Sequence, residues 1–96
     1  MKTFVYLMRD HNPLTDAVVA PHVAHLRALD EAARLVLCGP FDDRAGGMVI
    51  PRAESKEDAS MIADRDPFIA EGYKTYELYT LQPANRENNY LHEDRP

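Results

Sequence analysis

The chain has 96 residues, 45% of them hydrophobic, and a net charge of −5, which bounds one domain with one modest core and leaves no room for a cofactor domain beside a substrate domain. No basic run or basic face offers the counterion release that drives nucleic-acid binding, and no apolar run approaches membrane-spanning length. The N-terminal MKTFVYLMRD is too briefly apolar for a signal peptide, and the single Cys precludes an internal disulfide, so the expectation is a soluble cytoplasmic protein.

Thr3 to Met8 joins β-branched, aromatic and long apolar side chains and reads as a strand. Arg9 to Leu14 carries the turn cluster Asp-His-Asn-Pro. From Asp16 to Arg34 the period is helical, with Val19, Val23, Leu26, Leu29 and Ala33 at threes and fours. Leu35 to Phe41 reads as a buried strand closed by Gly39-Pro40, Asp42 to Gly47 as a hairpin connection, and Met48 to Ala53 as a strand whose Pro51 belongs near an edge or bulge. Ser55 opens a second helix. Its hydroxyl is placed to accept from the Asp58 N–H, while Asp58 reaches back in the manner of a capping box. Ala59, Ile62 and Ala63 form that helix's apolar face. Pro67 ends it by disfavouring helical geometry at Asp66. Glu71-Gly72-Tyr73 is a turn, Lys74 to Leu81 the last strand, and residues 84–96 a polar, aperiodic tail behind a domain of residues 1–83.

The order β-α-β-β-α-β predicts an α+β, ferredoxin-like unit with two helices on one face of a four-stranded antiparallel sheet. Its other face should be polar in a monomer, yet the first strand alternates Phe4, Tyr6 and Met8 with Val5 and Leu7, and the last carries Tyr79 and Leu81 opposite Tyr76 and Leu78. Strands apolar on both sides want cover on both. In so short a chain the simplest cover is a second copy, giving a two-fold dimer joined sheet to sheet.

Helical phasing places His22 among Leu26, Leu29 and Ala33, within about 20–100° of Val18, and His25 at the far margin near about 340°. His22 is therefore the more buried of the two, and a buried imidazole needs a partner. Asp66 continues the face of Ala59, Ile62 and Ala63 and is the best candidate. A carboxylate there would fix the tautomer and support the charged ring. Two plainer readings stand beside this: His22 as a satisfied core histidine, and Asp66 as the N-cap of a turn begun by Pro67. His22 and His25 could share a metal, but no third ligand stands at a recognisable spacing. Cys38 lies in a strand read as buried, hence as inert packing. Gly39-Pro40 and Gly46-Gly47 are too short for a phosphate loop. His11, His92, Arg9 and Arg44 read as solvated, although an arginine could meet an anion. Tyr90 and His92 could close over a cleft from the tail.

Taken together, His22 with Leu26 and Leu29, Leu35-Val36-Leu37-Cys38-Gly39-Pro40, Gly46-Gly47-Met48-Val49-Ile50, Ser55 with Glu57 and Ala59, and Asp66-Pro67-Phe68 with Gly72 resemble the YciI-like (YCII-related) proteins over about residues 1–83. The resemblance implies a ferredoxin-like fold assembled as a dimeric α+β barrel, and a cleft with a His–Asp pair proposed as catalytic, carried here by His22 and Asp66. A family relative that removes chloride from a chlorinated hydroxyhydroquinone, and similar barrels that isomerise lactones, imply cofactor-free acid–base chemistry on a small hydroxylated aromatic or lactone-like molecule. The alternative is a non-catalytic dimer that binds a small molecule. One departure stands out: the turn before the second strand often carries Gly, whereas here it is Ala33-Arg34, which should shift the loop.

Overall fold

A computed structural model describes residues 1–90. Strand β1 (Lys2–Asp10) leads into α1 (Asp16–Glu31), followed by β2 (Leu35–Pro40), β3 (Gly47–Ala53), α2 (Lys56–Arg65), a one-turn helix α3 (Pro67–Ala70) and β4 (Lys74–Leu81). The four strands form one antiparallel sheet in the order β2-β3-β1-β4. This α+β arrangement is compatible with a ferredoxin-like fold. The core sits between the sheet and the helices. Phe4, Tyr6 and Met8 of β1 and Val49 of β3 meet Val18 and Leu29 of α1, Ala59, Ile62 and Ala63 of α2, and Phe68 of α3.

Several local expectations change. β2 is an edge strand, not a buried one, and Leu37 is 63% exposed because alternate residues of an edge face away from the helices. Pro51 lies in the interior strand β3, and its missing N–H falls opposite the register shift between Leu35 and Leu37, so the bulge reading holds and the edge reading does not. Val19 and Val23 are exposed rather than packed in the core. α1 rests on the sheet through Val18 and Leu29, and those two valines lean over a cavity instead. The cap at Ser55 forms, with Oγ accepting from the Asp58 N–H at 3.1 Å. Asp58, however, reaches one residue beyond the cap, to the N–H of Glu54 at 3.0 Å, and also pairs with Arg34 at 2.5 Å. Within the tail, Arg86–Asn88 forms a single 3-10 turn boxed by Asn85 and Asn88, so that stretch is not wholly irregular. His92 lies outside the described residues.

α1 stops at Glu31, three residues before the periodicity does. Arg34 N–H bonds the Leu29 carbonyl at 2.8 Å and Ala33 N–H that of Asp30 at 2.9 Å, the paired bonds of a Schellman ending. That motif needs a left-handed residue, and Ala33 supplies it at φ 58°. Ala33 thus adopts the left-handed conformation that a Gly takes readily. A side chain there costs about 1 kcal/mol, so Ala33→Gly should stabilise the fold by about 0.5–1 kcal/mol, read as a higher urea midpoint with an unchanged slope.

Candidate active site

Among the described residues, Asp66 is the charged residue that the fold buries completely, at the junction of α2 and α3. Pro67 holds Asp66 extended (φ −62°, ψ 123°), which turns its carboxylate back over the first turn of α3. Oδ1 accepts the Phe68 N–H at 3.0 Å, the bond of an N-cap. The same oxygen lies 2.7 Å from Nδ1 of His22, 44 positions away. Oδ2 accepts the hydroxyl of Tyr6 at 2.9 Å. The cap reading and the partner reading of Asp66 are therefore both met by one carboxylate.

These contacts set the charges. Burial by itself would push the Asp66 carboxyl up, but the His22 hydrogen bond and charge, the Phe68 N–H and the Tyr6 hydroxyl outweigh it and hold the group below its ordinary value. Tyr6 moves the other way, driven far up by burial first and then by the Asp66 charge and hydrogen bond, so it stays a phenol and a donor. A carboxylate on Nδ1 fixes the Nδ1–H tautomer of neutral His22 and leaves Nε2 with the lone pair. The hydrogen bonds of the described residues engage His22 only through Nδ1, and none of their buried side-chain nitrogens or oxygens lacks a partner, so Nε2 is accessible. The ring stacks on Phe68 with centroids 3.6 Å apart and planes 8° from parallel, which limits its rotation.

His22 lines a cavity of about 480 Å³ walled by Leu14, Val19, Val23, Leu26 and Met8. Gly46 and Gly47 close one side of it. A Cβ on Gly46 (φ 94°) would stand 2.4 Å from the Met8 carbonyl oxygen, and one on Gly47 2.7 Å from that of Gly39, so the strands approach here only because both lack side chains. Lys74 also reaches the cavity.

A model of the YCII-related domain matches residues 1–83. The chain belongs to the YCII-related family. The uncharacterized protein YjpA of Bacillus subtilis (strain 168) is 35% identical to it over 72 residues, which cover 75% of this chain and 85% of YjpA. Among solved structures, it is similar in fold to 5-chloro-2-hydroxyhydroquinone dehydrochlorinase (TftG) from Burkholderia phenoliruptrix AC1100, in complex with 2,5-dihydroxybenzoquinone. The TM-score is 0.68 at 20% identity, covering 90% of this chain and 98% of the other.

In this YCII-related chain the other sequence candidates go elsewhere. His25 does not join His22 on a shared ligand; its Nε2 lies 3.4 Å from the Tyr6 hydroxyl, and burial first of all lowers its pKa. Among the described residues no group of three His, Cys, Asp or Glu side chains is arranged to hold a metal, and no helix is long and apolar enough to cross a membrane. Cys38 is half-buried and lines the cavity rather than a closed core, with burial chiefly raising its thiol pKa. Arg9 pairs with Glu77 at 2.7 Å and Arg44 lies over Phe41. His11 is exposed. Sequence reasoning read Tyr6 as packing and Lys74 as a strand start. Their one visible signal was a polar tip or charge on a core-facing strand.

Proposed function

We propose that this protein is a small cofactor-free enzyme that uses His22 and Asp66 for general acid–base chemistry on a small hydroxylated aromatic or lactone-like molecule in the cytoplasm. The observation that carries the reading is the 2.7 Å contact between Nδ1 and a fully buried carboxylate at the wall of an apolar cavity. His22 Nε2 takes a proton from a hydroxyl or an activated carbon of the bound molecule. Asp66 remains ionised and stabilises the imidazolium, while Tyr6 holds the second carboxylate oxygen. In an elimination of the kind named for the structural relative, the proton goes to His22 and chloride leaves with the bonding pair, so the molecule loses HCl. The imidazolium then releases its proton to water.

The test is chloride release from 5-chloro-2-hydroxyhydroquinone by wild type, His22→Asn and Asp66→Asn. Release should fall at least about 10²-fold in both variants, the usual contribution of a positioned general base and the charge that supports it. Release within threefold of wild type in both would sink the reading.

We also propose that a second copy covers the outer sheet face and closes a dimeric α+β barrel. Val5, Leu7, Met48 and Ile50 lie on the face away from the helices, continued by Leu37, Tyr79 and Leu81, all three exposed in the single chain. A contiguous apolar patch of this kind marks an interface. Light scattering should report a dimer for wild type and a folded monomer for Leu37→Lys combined with Tyr79→Glu. A wild-type monomer would count against the barrel.

A further inference from the structure

Lys74 is the lysine that lines the cavity; among the described residues no Asp or Glu lines the space, and its remaining walls are almost wholly apolar. The side chain is 10% exposed, while its ion-pair partner Asp10, 2.5 Å away, is 53% exposed. The two face each other across the end of β1 and β4. An ordinary cross-strand pair would leave both heads in water, whereas here the lysine is drawn inward. Its ammonium lies 5.5 Å from the centroid of Phe68, the ring on which His22 stacks. Base and cation are thus held around one aromatic ring. An ammonium has three donors and Asp10 takes one, so the head can serve a second anion without leaving its place.

We propose that Lys74 is the anion anchor of this cavity, and that its ligand is a single-ring acid whose anionic oxygen pairs with Lys74 while the rest of the ring presents a hydroxyl or C–H to His22 Nε2. This rests on the acid–base reading of the same cavity and narrows its substrate class. The apolar walls supply area and shape, Lys74 supplies orientation, and a charge in so dry a setting discriminates strongly between an anion and a neutral molecule of the same outline. If His22 removes a second proton, the new negative charge on a conjugated ring is shared toward the same ammonium.

The experiment is an NMR titration at pH 8 with benzoate, 4-nitrophenolate and the neutral isostere benzamide, on wild type, Lys74→Met, Lys74→Arg and Asp10→Asn. Both anions should perturb residues of the cavity. Lys74→Met should weaken at least one anion about tenfold or more, as expected for loss of a charge-assisted contact, while changing benzamide binding less than about threefold, and Lys74→Arg should recover most of the loss. Carboxylate or phenolate, whichever loses more, identifies the acid. Asp10→Asn removes a competing carboxylate at an exposed position and should tighten the anions. Equal affinity of wild type for benzoate and benzamide, or anion binding indifferent to Lys74→Met, would overturn the proposal. Chloride release by His22→Asn and Asp66→Asn is a separate readout that neither result decides, so failure of the anchor and failure of the acid–base pair remain distinguishable.

Discussion

His22→Asn should slow turnover about 10²–10⁴-fold, the usual contribution of a positioned general base, with little change in folding. The amide of Asn can still donate to Asp66, and the Asp66 cap on Phe68 does not involve His22 at all. Ligand affinity should change only a few-fold, since the cavity walls and Lys74 remain. Asp66→Asn offers the sharper variant. Its amide oxygen can keep both the cap on Phe68 and the contact with Nδ1, so the ring holds its place and tautomer while the charge that stabilises the imidazolium is lost, and turnover should fall by a comparable factor. On the proposed reading, both losses are to be measured as single-turnover rates of chloride release from 5-chloro-2-hydroxyhydroquinone, with an unchanged NMR spectrum of the cavity residues as the control for an intact cavity. A rate within threefold of wild type in His22→Asn would remove His22 from the chemistry.

How far the sequence led follows from the range over which each signal acts. β1 is legible because its apolar run Phe4–Met8 is unbroken, and β4 because its β-branched and aromatic residues stand between the Gly72 turn and Pro83. The start of α2 was legible because Ser55 and Asp58 are three residues apart. The end of α1 was not: Ala33 in a left-handed turn carries no glycine to mark it. The place of β2 in the sheet is hidden for another reason. An apolar run does not say whether a strand is central or an edge; that is decided by pairing with β3. The phase of His22 was readable from helix geometry, but its contact with Asp66 spans 44 positions, and that of Tyr6 with Asp66 spans 60. No local period encodes either. They arise where β1, α1 and the α2–α3 junction meet. Val19 and Val23 show the same limit from the other side. They satisfy the helical stripe, yet face a cavity, because nothing in a period distinguishes a wall from a core.

Asp66→Ala should be the most destabilising change at this site, costing about 3 kcal/mol and lowering the melting temperature by about 10–20 °C in a domain of this size. Three contacts set that magnitude. Loss of the N-cap on Phe68 costs about 0.5–2 kcal/mol. The Tyr6 hydroxyl, fully buried, loses its acceptor, a loss of about 1–3 kcal/mol for a donor left dry. His25 Nε2 at 3.4 Å can take over part of that role. His22 loses the partner of Nδ1, but at 12% exposure its ring keeps some access to water. Removing a buried charge also returns its desolvation cost, which keeps the total near 3 kcal/mol rather than higher. Asp66→Asn should lose much less, since the amide oxygen can still cap Phe68. The pH dependence separates this account from simple cavity formation. The folded-state carboxyl lies below its ordinary value of 3.8. Its contribution is therefore present in full above that value and disappears as pH falls from there through the folded-state value. The stability gap between wild type and Asp66→Asn, followed by thermal melts from neutral pH downward, should accordingly narrow below about pH 3.8, where the carboxyl of the unfolded chain takes up its proton while the folded chain still holds a carboxylate. A gap that stays constant to the lowest pH at which both fold would mean that Asp66 stabilises through shape alone, and the charged network joining Tyr6, His22 and the α3 cap would have to be abandoned.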